Sequence, residues 1–495
     1  MMMDEEQKVI FKLQKKLLPS ERAEIRAKRA KRWAIVLTCI AFFLGGFLLG
    51  GVLKAGSLTG TADLEKYTTL SEVQSYFERY WLYKNDYENL DDLLRDKALY
   101  GMTSFTDDPY TTYMSAEEMQ TFSSDINMNF VGIGVYYNNA DGMVQVTRVI
   151  KGAPAENAGI MAGDIIRKID GVSCDERSSD EIKSMVVGEE GTTVAITVDR
   201  GGQELTLTCV RGRVDSTVYA YAKDDYVVLE LASFGENTAN ECIRYLDEYL
   251  DYSKLIIDMR SNGGGYQDAL QAVAGLFIGP NKTVMFQTFN DGSRREYLTT
   301  GNTYYKNFEQ IVVLTNGQTA SAAEVLTICL KEQHKNVTVV GETTYGKGVV
   351  QSSVVLRDGS ALKITTSKWE SPSGIWINGT GIKPDVEVKL PDIFYLPVYN
   401  MGDDESYGLD EVSFYVETCQ NALDYLGYGV ERFAGYFDNS TYVAISAFQK
   451  DCAIEASGRI DKKTYNALVS KVASIYKSDV SMDPQMMAAI EILKK

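Results

Sequence analysis

IVVLTNGQTASAAEVLTICLKEQHKNVTVVGETTYGKGVVQ, residues 311–351, is the stretch on which the reading of this chain turns. Its first five residues are a short apolar, β-branched run ahead of a polar turn, the pattern of a buried strand. Ser321 then opens SAAEVLTICLKEQ (321–333), whose small and apolar residues read as a helix. VTVV (337–340) predicts the next strand, and after GETTYGKG a third follows near 349–355. A serine at a strand-to-helix corner presents its hydroxyl beside the free N–H groups of the helix. Those groups favour the negative charge that acyl transfer develops. Lys347 stands between Gly346 and Gly348, so backbone and substrate can come close to it. Gln351, four residues on, would share its strand face.

Such a serine needs a base. The single histidine, His334, lies thirteen residues after Ser321 on the same predicted helix, roughly 20 Å along the axis at ~1.5 Å per residue. It cannot deprotonate Ser321, which excludes a Ser-His-Asp arrangement. Lysine is the remaining base, competent where desolvation keeps it neutral. Gln351 could accept a hydrogen bond from the amine and orient it without adding a charge. Glu324, one turn beyond Ser321, reads as a brace for the turn through a backbone or arginine contact. Two rival motifs fail. GETTYGK (341–347) nearly spells a phosphate loop, but Gly348 replaces the Ser or Thr and the residues after it read as strand. Ser474–Lys477 fits Ser-x-x-Lys, but no Lys-Thr-Gly follows.

NGQTASAAE (316–324) and GETTYGKGVVQ (341–351) resemble the two signature stretches of the carboxy-terminal processing proteases, also called tail-specific proteases. LIIDMRSNGGGYQDAL (255–270) and GIKPDVEV (381–388) are similar to two further segments of that family, and the likeness covers most of 62–390. The resemblance implies Ser321 as nucleophile, Lys347 as general base and Gln351 as its orienting partner. It also implies an oxyanion hole from the amides of Gly264 (or its neighbour Gly265) and Ala322. Arg260 reads equally as a salt-bridge partner of Asp258 and as a substrate contact.

Residues 130–212 resemble a PDZ domain, with strands expected at 131–137, 164–171, 192–200 and 203–210 and a helix at 178–187. In such domains the backbone of Val131, Gly132, Ile133 and Gly134 would catch a terminal carboxylate, and the peptide would add as a strand beside 133–137. Many relatives have an arginine immediately before the glycine that follows the helix, where this chain has Val187. CQNALDYLGY (419–428), GYFDNSTYVAISAFQKDC (435–452) and GRIDKKTYNAL (458–468) resemble a small helical peptidoglycan-binding module.

At 495 residues the chain is too long for one core. Its net charge of −18 hides an asymmetry. Residues 1–32 carry ten Lys/Arg against five Asp/Glu, a net of +5, and the rest is acidic, which argues against nucleic-acid binding. An uncharged run from Trp33 to Leu53 is long enough to cross a bilayer, and the basic tail before it puts the N-terminus inside. It reads as an uncleaved anchor rather than a signal peptide. Seven cysteines show no metal spacing, and with one histidine neither a metal nor a cofactor is expected. Most read as buried apolar residues, and a Cys419–Cys452 bridge is set aside.

The expected architecture is a multidomain α+β chain. A basic cytoplasmic tail (1–32) and a transmembrane helix (33–54) precede a helical segment (58–129) and a PDZ domain (130–212). A mixed α/β protease core (213–395) and a small helical C-terminal module (408–475) follow. The expected function is a single-pass, membrane-anchored, extracytoplasmic serine endopeptidase acting on proteins with exposed C-termini. Its further expected partners are peptidoglycan and, because relatives often self-associate through long terminal segments, a second copy. A non-catalytic wall-associated PDZ scaffold and a wall-peptide amidase or carboxypeptidase stand as alternatives.

Overall fold

The structure is a computed structural model that describes residues 68–495 apart from 129, 141, 142, 151, 176 and 215. The expected tail at 1–32 and the expected transmembrane helix at 33–54 lie outside the described residues. Among the described residues no helix is long and apolar enough to cross a membrane. The chain divides into two compact units at 98/99. The first contains helix α1 (Thr68–Tyr80), none of whose residues is buried, and the start of α2 (Leu90–Thr103).

The second unit opens with strand β1 (Thr112–Met114) and α3 (Ala116–Asn127), which starts on a capping box between Ser115 and Glu118. A PDZ-type sheet follows. The run expected as one strand at 131–137 is two, β2 (Phe130–Gly132) and β3 (Val135–Ala140), because Gly134 turns the backbone at φ +78°. Next come β4 (Met143–Val149), α4 (Pro154–Ala158), β5 (Ile165–Ile169), β6 (Val172–Ser173), α5 (Ser179–Val186), β7 (Thr193–Arg200) and β8 (Gln203–Val210). The strand order is β3-β4-β5-β7-β8, which leaves β3 on an edge, and β9 (Gly212–Val214) pairs with β2 to close the domain's two chain ends.

The segment expected as the protease core holds a six-stranded central sheet in the order β10 (Val218–Lys223), β11 (Tyr226–Leu231), β12 (Lys254–Asp258), β15 (Gln310–Thr315), β16 (Val337–Gly341) and β19 (Val386–Glu387). All neighbours after β11 are parallel. A parallel sheet must be covered on both faces. Alternate residues divide accordingly. Leu229, Ile257, Val313 and Val339 face the larger core with α6 (Thr238–Leu246), α7 (Gln267–Ile278) and α8 (Ala322–Gln333). Val228, Ile256, Val312 and Val340 face the other way, onto Met486, Ala489, Ile490 and Leu493. Those four belong to the chain's last helix, a segment to which the sequence attached no role. A second sheet joins β13 (Thr283–Phe289), β14 (Arg294–Leu298), β17 (Val349–Val355) and β18 (Ala361–Glu370) to β1.

The C-terminal module consists of a two-stranded ribbon, β20 (Ser406–Tyr407) with β21 (Ile460–Asp461), and α9 (Phe414–Tyr425), α10 (Asn439–Asp451) and α11 (Lys462–Ser478). The final helix α12 (Pro484–Leu493) then leaves it for the central six-stranded sheet. The module lies against the PDZ sheet through α11. Met143 and Ile165 are buried in the module's core, and Gln145 Nε2 donates to Val469 O at 3.2 Å. Cys419 and Cys452 are free thiols.

Candidate active site

Ser321 caps α8 in a conformation rare for a side chain with a Cβ, φ +57° and ψ −121°. Such a backbone costs about 1–3 kcal/mol and persists only where its surroundings overdetermine it. Here they do. Its N–H donates to Glu324 Oε2 at 2.8 Å, the preceding Ala320 N–H donates to Asn262 O at 2.9 Å, and Thr319 Oγ1 donates to Met259 O at 2.9 Å.

Glu324 reaches further than its own turn. Its side chain is fully buried. Oε1 accepts from Thr344 Oγ1 at 2.5 Å and Gly346 N at 2.7 Å, and Oε2 accepts from Lys347 N at 2.9 Å as well as from Ser321 N. One carboxylate oxygen therefore holds the backbones of Ser321 and Lys347 side by side. The sequence pointed to a backbone brace, but the second half of it spans a crossover and has no local signature.

Lys347 Nζ lies 4.8 Å from the centre of the Tyr110 ring and makes no hydrogen bond to Ser321 Oγ. Burial pushes its ammonium below the usual lysine range, the neighbouring Lys363 adds to this, and Glu324 opposes it. The Tyr110 hydroxyl is pushed up to about 12, mainly by burial and further by the neighbouring Tyr345. Gln351 does not bond to the amine. Its Nε2 donates to Thr365 Oγ1 at 3.2 Å, and Thr365 Oγ1 donates to Asp108 Oδ1 at 2.9 Å. The shared-face argument for Gln351 fails locally, because β17 begins only at Val349 and its pairing with β18 is irregular at Val350/Gln351. Asp108 and Tyr110 are site neighbours that the sequence reading did not single out. Nothing local in DDPY (107–110) ties it to Lys347.

The glycine turn after β12 meets the serine corner directly. A Cβ on Gly264 would stand 2.8 Å from Ser321 Cβ and 2.9 Å from Ala322 N. Gly264 differs from expectation in one respect: its N–H is spent on Asn262 Oδ1 at 2.8 Å, so what it supplies is close approach rather than a free donor. At Gly265 the backbone runs beside Phe234 in a parallel bridge. Gly264 O and Tyr266 N carry the bonds, and the Gly265 N–H has no acceptor among the described residues. The Ala322 N–H, at the first helical position, likewise has none. His334 ends α8, with Nε2 3.1 Å from Phe308 O, far from this corner. Among the described residues no cluster could hold a metal ion.

In the PDZ-type domain, Val131 and Gly132 lie in the separate β2–β9 ribbon, paired with Arg213 and Gly212, and Val131 O accepts from Gly188 N at 3.3 Å. Ile133 O and Gly134 O accept from Ala155 N and Ile150 N. The β3 edge faces the start of α5, where Tyr137 Oη donates to Ser179 O. Arg211 holds the other end of α5: Nε donates to Val186 O at 2.7 Å and Nη2 to Met185 O at 3.2 Å. The guanidinium packs on Gly188, next to the position where the sequence showed Val187 in place of an arginine.

A hydroxyl held in this strained corner is placed for acyl transfer, and a sheet with an open edge suits extended polypeptide; fold and site together define a serine peptidase with a PDZ domain in series. Comparison agrees. The profile of peptidase family S41 matches residues 225–388, the PDZ profile 131–209 and a peptidoglycan-binding-domain profile 415–468. The chain is 32% identical over 466 residues to the "Carboxy-terminal processing protease CtpA" of Bacillus subtilis (strain 168), covering 93% of this chain and 97% of that protein. It is 32% identical over 444 residues to the "Probable CtpA-like serine protease" of Staphylococcus haemolyticus (strain JCSC1435), covering 88% of each. Among solved structures, the photosystem II D1 C-terminal processing protease aligns with 27% identity and a TM-score of 0.42 over 64% of this chain and 88% of that one. This chain belongs to the CtpA-like carboxy-terminal processing proteases of peptidase family S41.

Proposed function

We propose that the protein is a membrane-anchored, extracytoplasmic endopeptidase that recognises substrates by their C-terminal tails and cleaves them with a Ser-Lys mechanism assisted by Gln351. The observation that carries this reading is the single Glu324 oxygen shared by Ser321 N and Lys347 N, with the Lys347 ammonium depressed by burial. A tail docks on the β3 edge with its carboxylate toward 131–134 and leads the chain to Ser321. Neutral Lys347 swings from the Tyr110 ring, takes the hydroxyl proton and is steadied by the Gln351 carbonyl. Ser321 Oγ attacks the scissile carbonyl, and the oxyanion is received by the N–H groups of Ala322 and Gly265. The lysine ammonium then protonates the leaving amine, and water resolves the acyl-enzyme.

The apolar run at 33–54 would tether the body outside the membrane, and the last module would keep it near the cell wall. The test is incubation of the full-length chain in detergent with a protein bearing an apolar C-terminal tail, free or amidated. Cleavage is expected with the free tail, reduced cleavage with the amidated one, and none in Ser321→Ala or Lys347→Ala. Tail binding without cleavage by the unaltered enzyme would turn the reading toward a scaffold, and release of wall peptides alone toward an amidase.

A further inference from the structure

The turn that carries Gly264 and Gly265 is not held by the protease domain alone. Arg260, at its start, has a guanidinium with only 11% of its side chain exposed and a partner for every nitrogen. Nε and Nη2 bind Asp258 in a fork, at 3.0 and 2.6 Å. Nη1 donates to Asp483 Oδ2 at 2.7 Å, Tyr476 Oη at 3.0 Å and Gln485 Oε1 at 3.2 Å, all from the last twenty residues of the chain. Burial opposes ionisation of Asp258, yet the Arg260 guanidinium more than offsets it and holds the carboxyl below the usual range.

The residues after Arg260 are zipped to the serine corner. Ser261 N donates to Asn316 Oδ1 at 2.9 Å, Asn262 O accepts from Ala320 N at 2.9 Å, and Asn262 Oδ1 accepts from Gly264 N at 2.8 Å. Ser261 itself sits at φ +62°, a conformation that relaxes unless held. Asp483 is 6% exposed and divides its two oxygens. Oδ1 caps α12 through Gln485 N and Met486 N, and Oδ2 takes the guanidinium.

We infer that Asp483 is a positioning residue for catalysis: by fixing Arg260 it keeps the 259–265 turn in register with Ser321, so that the segment beyond the peptidoglycan-binding-like module is part of the peptidase apparatus. This rests on the proposed serine-lysine reading of the same corner.

Asp483→Asn separates the two functions of the side chain, since an asparagine oxygen still caps α12 while the charge facing Arg260 is lost. In the full-length chain, with a tailed protein substrate, kcat is expected to fall roughly tenfold to a hundredfold, the scale of a small misplacement of reacting groups. KM should stay unchanged, because the docking edge is elsewhere. Asp483→Glu should recover most of kcat. Amide hydrogen exchange in peptides spanning 259–265 and 316–322 should quicken in Asp483→Asn and not in Asp483→Glu. Unchanged kcat with only a lower Tm, or a rise in KM alone, overturns the inference. If the unaltered enzyme is inactive, or Ser321→Ala still cleaves, the functional reading falls instead. The exchange measurement then decides this one, with unaltered exchange overturning it.

Discussion

At the scale of single residues the site is a problem of two charges. On the proposed mechanism Lys347 must be neutral to act as a base, while the Glu324 carboxyl group beside its backbone accepts four donors. Burial and Lys363 depress the lysine, whereas the carboxylate is compensated by three N–H groups and a hydroxyl. On the proposed mechanism the neutral amine is the active form, and because burial holds its ionisation below that of a free lysine, the rate should rise with pH through a limb below about 10.4, the unperturbed value. Lys363→Met removes the like charge, so the limb in kcat/KM should move to higher pH and the rate near neutrality should drop. The folded state binds this proton more weakly than the unfolded chain, so stability associated with Lys347 rises as pH rises through that window. Lys347→Met is accordingly expected to abolish cleavage while leaving Tm unchanged or higher. For Glu324→Gln the expectation is opposite. Its amide group would face N–H donors, two charge-assisted bonds would be lost at about 1.5–3 kcal/mol each, and both Tm in a melt and activity should fall.

At the scale of elements, two turns make the site, 259–265 after β12 and 316–321 after β15. These neighbouring parallel strands deliver both turns to the same end of the sheet. Gly264 is the point of contact. Alanine there would bring a Cβ against Ser321 Cβ and the Ala322 N–H, at φ +103°. Gly264→Ala should cost about 3 kcal/mol in chemical denaturation and leave no measurable cleavage, whereas the same change at Gly292, with open space around it, should be tolerated for activity. The strand–helix–strand of 311–341 was legible because its periodicity switches cleanly and its turn residues sit at the boundaries. Ser321 and Lys347 were legible as a pair for the same reason. Gln351's partner was not, since an irregular pairing breaks the two-residue period, and neither was Tyr110, which arrives from a part of the chain more than two hundred residues away.

At the scale of the whole molecule, the last helix changes what the C-terminal region is for. Met486, Ile490 and Leu493 cover one face of the central parallel sheet. Each such side chain is worth about 1.5–3 kcal/mol when buried, so removing 484–495 forfeits on the order of 5 kcal/mol against a typical domain stability of 5–15. A chain ending at 483 should melt at a markedly lower temperature and aggregate, even though the whole peptidoglycan-binding-like module remains. Calorimetry and light scattering of the full-length and shortened chains check this. The module's own helix α11 is engaged with the PDZ sheet through Val469, while α12 beyond it packs on the protease sheet.

Sequence alone determined the strand-to-helix corner with Ser321 at its mouth, the glycine-flanked Lys347 one crossover later and the exclusion of the lone histidine. All of these depend on local periodicity, turn chemistry and spacing along one stretch of chain. Tertiary structure decided which groups share a hydrogen-bond acceptor, where the lysine rests, which glycine keeps a free amide, and that residues 476–485 close over Arg260. Those are matters of distance between segments far apart in the chain, and a hydrogen bond or a buried ion pair leaves no periodic trace in either of the segments it joins.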